Sequence, residues 1–141
     1  MSGSKTVNNP LGAFGVTDLQ SQLPSLEGEF KASAAVTAPK VVAIGTDGQI
    51  ATAATNGTAS LCVGVAIKDA AASGRAKVVY YGIAENVPAA GAVAAGDILK
   101  RSATTAGYVS ATASPAAGEA IGIAINASSS NTVDVWVCKA V

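Results

Sequence analysis

The side chains that could do chemistry are few and far apart. The chain has 141 residues, nine of them acidic, and no histidine. Without histidine there is no imidazole base for a serine or cysteine nucleophile, and the commonest metal ligand is missing. The two cysteines, Cys62 and Cys138, lie 76 positions apart with no CxxC pair, so they cannot form a zinc site alone. Both sit in apolar strand-like runs and read as buried free thiols. Asp47, Asp69, Asp97 and Glu119 fall at turns or strand edges. Carboxylate hydrolysis needs two acids held close together, and the sequence does not place any two of these. They read as solvated turn residues, with Asp97, after Gly96, able to bond local amides. The Gly-rich stretches match neither a phosphate loop ending GK[ST] nor a dinucleotide fingerprint, and Gly12–Gly15 follow no strand. Lys100-Arg101 is the only adjacent basic pair and reads as exposed strand-end charge. The expectation is a protein that is not an enzyme and carries no metal and no cofactor.

The elements that position these residues are strands organised around one phrase spoken twice. Residues 61–67 read LCVGVAI and residues 121–125 read IGIAI. Val63 on Ile121 aligns five positions at an offset of 58. In an extended strand this puts Val63, Val65 and Ile67 on one face, with Gly64 and Ala66 on the other. Such a strand packs on its branched side and lets backbone approach on its small side.

The flanks repeat in the same order. Strands over 41–44 and 49–53 enclose a Gly-Thr-Asp-Gly turn, and residues 76–81, AKVVYY, form a further strand after the phrase. The second half offers strands over 97–100 and 108–112, the echoed phrase, and 132–138, TVDVWVC. The turn exits at Gly48 and Gly107 match at an offset of 59, and Val79 and Tyr81 match Val135 and Val137 at 56. These registers predict a duplicated four-strand unit, with halves at about 36–82 and 96–141. Residues 82–96 read as the connection, with a turn of helix feasible at 92–95. Tyr80, Tyr81 and Trp136 could form a binding platform, but alternating strands favour a core or subunit-interface role for them. The fold class is all-β, a small β-sandwich or barrel with an extended N-terminal arm.

Composition agrees. Ala accounts for 31 residues and the aromatics for only six, so each buried side chain removes little area from water. A modest core assisted by contacts between copies is expected. Nine basic residues balance the nine acidic ones, which gives no electrostatic reason to expect nucleic acid or an anionic membrane as partner. No apolar run approaches the ~20 residues of a membrane span, and the first ten residues lack a signal-peptide core. Synthesis in a cytoplasm is the default. Residues 1–35 differ in texture, with NNP, LPS and scattered apolar positions, and read as an extended arm that orders against another surface, with a disordered tail as the equal alternative. Its candidate contact residues are Pro10, Leu11, Phe14, Leu19, Leu23, Leu26 and Phe30, and residues 17–23 could form a turn or two of helix.

In its order of motifs, the run from Val41 to Val141 resembles the phage capsid decoration, or cement, proteins. The carrying residues are VVAIG at 41–45, LCVGVAI, AKVVYYG, VPAAGAVAAGDIL at 87–99, IGIAI and TVDVWV. The resemblance implies a non-enzymatic, often trimeric virion protein on the outer surface of the head, bridging subunits of the major capsid protein. A receptor-binding or fibre-associated adhesion module is the alternative in a different class.

Overall fold

The computed structural model describes residues 25–139, except 57, 59 and 60. The nine strands are β1 (Leu26–Lys31), β2 (Lys40–Ile44), β3 (Ile50–Thr52), β4 (Cys62–Ala66), β5 (Arg75–Pro88), β6 (Ile98–Arg101), β7 (Val109–Thr112), β8 (Ala120–Ala124) and β9 (Thr132–Cys138). All strand pairs are antiparallel, and no α-helix occurs among the described residues. The all-β expectation therefore holds.

The doubled unit is present in the topology. The strand order is β3-β2-β4-β5-β9-β8-β6-β7, so β2–β5 and β6–β9 have the same connectivity. Each set also has a fifth strand. β1 pairs the first half of β5, with Phe30 opposite Ala76, while the second half of β5 pairs β9, with Val87 opposite Val133. Both residues of the first pair move by 57 positions to give the second (30 to 87, 76 to 133). The 14-residue β5 thus ends one unit and begins the next. At about 3.3 Å per residue it is long enough to serve both.

Two places differ from the sequence reading. The sheet takes in residues 26–31, which were grouped with the arm, and β5 runs through the segment read as a connection. The matched positions in the last strand of each unit are Val78 and Val135, 57 apart, because Val78 opposes Ala66 as Val135 opposes Ala124. The offset of 56 was one residue out of register.

Each unit curls until its first strand meets its third. Ala32 bridges Ile50 and Ala89 bridges Val109, both in parallel sense. The Ser33 amide donates to the Ile50 carbonyl at 2.9 Å, and the Ala90 amide to that of Val109 at 2.8 Å. Irregular register falls at the same place in both units, beside Val42 and Leu99, opposite the phrase glycines. A bulge there increases the twist that closes the curl. It also breaks the strict alternation expected of LCVGVAI. Val65 faces one buried cluster, whereas Val63, beyond the irregularity, packs on the other.

The first unit encloses Ala32, Val36, Val42, Ile50, Ala66, Ala76 and Val78. Their counterparts Ala89, Val93, Leu99, Val109, Ala124, Val133 and Val135 belong to the second cluster. Val41, Val65 and Val79, on the outer face of the first unit, join that second cluster as well. The central strands β2, β4 and β5 are thus apolar on both faces, which explains runs such as VVAI and KVVY. Abundant alanine lets the curled strands approach closely. At Gly82 (φ 134°), between the halves of β5, a side chain would run into Ser25, whose hydroxyl accepts the Ile83 amide at 3.1 Å.

Candidate interaction surface

Five carboxylates, Asp47, Asp69, Asp97, Glu119 and Asp134, are committed to turns and strand ends. Asp47 accepts the Gln49 amide at 3.0 Å, Asp69 the Ala38 amide at 2.7 Å and Asp97 the Ala94 amide at 2.9 Å. Asp134 accepts the Asn86 amide at 2.9 Å and the Asn126 side-chain amide at 2.8 Å. Glu119 accepts the Ala116 amide at 2.9 Å and pairs with Lys100 at 3.2 Å. Its carboxyl is held below the usual range, first by the backbone bond and then by the Lys100 ammonium. Each acid braces a turn or strand end. No cluster of three or more His, Cys, Asp or Glu side chains stands together among the described residues.

Lys100 and Arg101 are half-buried rather than free strand-end charges. Lys100 holds Glu119, and the Arg101 guanidinium donates to the carbonyl of Thr55, tying β6 to the loop before β4. Such cross-unit bonds were invisible in the sequence because they join residues 46 positions apart. The thiols are both free, with Cys62 buried and Cys138 half-buried. Burial pushes both thiols above the ordinary value. Iodoacetamide at about pH 8 should therefore modify Cys138 slowly and Cys62 only on unfolding, as read by mass spectrometry of the two peptides. Equal, rapid labelling of both would contradict the burial of Cys62.

What the surface offers is apolar. Tyr80, Tyr81 and Trp136 are 41%, 50% and 44% exposed, which excludes the core role weighed for them. Trp136 lies between Ile83 on β5 and Ile123 on β8, and Ile123 lies beside Ile98 on β6. Directly opposed residues on neighbouring strands share a face. These four residues therefore form one apolar row across β5, β9, β8 and β6, with Ile83, Trp136 and Ile123 at least 36% exposed. The Tyr81 ring meets Trp136 edge-on, with centroids 6.3 Å apart.

A second apolar feature lies on the first unit. Leu26, Gly28, Phe30, Val63, Tyr80 and Tyr81 line an open trough of about 820 Å³. Of the arm residues singled out from sequence, Leu26 and Phe30 are here: Leu26 is exposed, and Phe30 packs partly on the first core. Pro10, Leu11, Phe14, Leu19 and Leu23 lie outside the described residues. The sequence reading missed Ile83 and Ile98, and it placed Ile123 on the packed branched side of its strand. The signal for Ile83 was its match to Leu26 at the 57-residue offset.

Duplicated β-curls, acids occupied in turns and broad apolar strips on the surface define a scaffold suited to protein contact. The phage cement protein family matches residues 19–139, and the chain belongs to that family of structural proteins of the phage virion. Among solved structures, the chain is similar to the N base of head fiber gp8.5 from bacteriophage phi29. The TM-score is 0.59 at 19% identity, over 83% of this chain and 97% of that one. At that identity the likeness shows a shared fold. No curated protein matches the chain.

Proposed function

We propose that this protein decorates the outer surface of an icosahedral phage head, as a homotrimer, and stabilises the head by bridging subunits of the major capsid protein. The observation that carries this reading is the exposed apolar surface, on a chain whose family is that of phage cement proteins. A single chain that leaves Leu26, Tyr81, Ile83, Ile125 and Trp136 each more than 40% exposed has surface in search of a partner. Repetition over a lattice turns modest contacts into firm attachment, because a bridge held at one end presents its other end at high effective concentration. Residues 1–24 with the arm positions Pro10, Leu11, Phe14, Leu19 and Leu23 would add contact area by ordering against the shell. Leu26 and Phe30 would extend that contact onto the sheet.

The test is co-sedimentation with mature heads that lack the protein. Full-length chain should pellet with the heads and raise the temperature at which they release DNA. Removing residues 1–24, which leaves β1 whole, should weaken the association. Failure of the full-length protein to bind any capsid lattice would sink the proposal. A second reading, a fibre-associated adhesion module, draws on the likeness to a head-fiber base. It predicts binding to host cells or glycans by the isolated protein.

A further inference from the structure

The two units are copies in connectivity and core, yet they differ in which faces are covered. In the first unit the outer row Val41–Val65–Val79, paired strand to strand, is 0%, 0% and 1% exposed. Its counterpart in the second unit is Ile98–Ile123–Trp136, displaced by 57 or 58 residues, and there Ile123 and Trp136 are 36% and 44% exposed. The flanks show the reverse. In the second unit, Val87, Ile121 and Val137 are fully buried, in the same cluster as the covered row of the first unit. Their counterparts in the first unit, Phe30, Val63 and Tyr80, line the open trough, with Tyr80 41% exposed.

Within one chain, then, the outer row of the first unit lies against the flank of the second, and β4 touches β8. A two-fold relation between the units would have covered both rows alike. The relation is instead head to tail, and it leaves one row and one flank unmatched, joined where Tyr81 of the trough meets Trp136 of the row. Within the chain, the counterparts of the unmatched row and of the unmatched flank share one buried cluster.

We propose that a second copy of this chain covers the exposed row. The Ile98–Ile123–Trp136 row of one copy seats on the Phe30–Val63–Tyr80 flank of the next, repeating between molecules the contact that joins the two units within one. The contact is heterologous, and it closes into a ring where the rotation per copy divides a full turn. Large, rigid aromatic groups at both surfaces, Trp136 and Tyr80, are the anchors. This inference rests on the homotrimer of the proposed function and deepens it by naming the contact between copies; because its test contains no shell, its failure is distinguishable from a failure to bind the capsid.

Full-length protein is examined by sedimentation velocity over a range of concentrations. Wild type should self-associate. Trp136→Asp, which spoils the row, and Tyr80→Asp, which spoils the flank, should each weaken association by about 30-fold or more. The decisive step is to mix the two variants. One row and one flank remain intact between them, so the mixture should give a one-to-one dimer and nothing larger. Both side chains are exposed, so circular dichroism should show unchanged folds. If either variant loses its fold, Ile123→Asp and Leu26→Asp replace the pair. A mixture that stays monomeric, or variants that assemble like wild type, would overturn the proposal. So would wild type that is monomeric at every concentration, which would assign the row to the chain's own residues 1–24 or to the capsid lattice.

Discussion

Replacing Gly64 or Gly122 with alanine is expected to destabilise the protein by about 3 kcal/mol at each site, the upper end of the range for overpacking. The cause is backbone, not side chain. A Cβ built on Gly64 meets the carbonyl oxygen of Val79 far inside contact distance, with the carbonyl carbon at 3.0 Å and a Val78 methyl at 3.1 Å. At Gly122 the same atom meets the carbonyl of Trp136 and a Val135 methyl, at 3.0 Å each for carbon and methyl. A flexible neighbour could move aside; the backbone of a paired strand cannot do so without giving up its ladder. Chemical denaturation should show a loss of similar size for both variants, because the two glycines occupy the same place in two copies of one unit. Gly48 supplies the control. Its φ is 75° with nothing within 4 Å of an added Cβ, so Gly48→Ala should cost only about 1 kcal/mol, from backbone strain alone. A mild effect at Gly64 or Gly122 would mean that the strands are not as close as described.

This pair of glycines also shows what the sequence made legible. LCVGVAI and IGIAI announced a repeat, and the small side of the phrase was expected to admit backbone, as it does. The succession of strands along the chain, the all-β class and the turn at Gly48 and its counterpart Gly107 followed from the same pattern, and both glycines have φ near 75°. The bulge was not legible. One extra residue at Val63 reverses which face its side chain takes, and period-two reading has no means of sensing an unpaired residue. The first strand was hidden for another reason. Leu26–Lys31, LEGEFK, is polar at alternate positions because only Phe30 reaches the core, so it reads as an arm. Its counterpart Ile83–Pro88 is continuous with a longer strand and reads as a linker. Aligned to each other at an offset of 57, the two would have identified both.

The surface was harder still. Ile123 and Val65 are equivalent in sequence and in strand register, yet one is exposed and the other buried. The difference lies in how the two units sit against each other, which no local pattern encodes. The sequence preference at Trp136 and Tyr80 was for a core or interface role. The core role fails on exposure, and the interface role is what the unmatched row and flank now ask to be tested.

Placing a charge at Ala32 should unfold the protein, and this outcome decides whether β1 belongs to the fold or to the arm. Ala32 follows β1, is 0% exposed, and bridges Ile50 where the first unit closes. Ala32→Asp would bury a carboxylate among Val36, Val42 and Val78 with no cation in that cluster to pair it. The charge must then be desolvated or take up a proton, and either course costs about 4 kcal/mol or more. That is a large share of the stability of an ordinary domain, ~5–15 kcal/mol, and nearly all of it at the lower end. Ala34→Asp, two residues on and exposed, should change the thermal midpoint little. Ala89→Asp, the equivalent change in the second unit, is 2% exposed and should be as damaging as Ala32→Asp. If Ala32→Asp melts like wild type, residues 26–32 do not close the first unit, and the trough lined by Leu26 and Phe30 loses its floor. If both alanine sites fail together, the repeat is a pair of five-strand units whose closing bridges are equally indispensable.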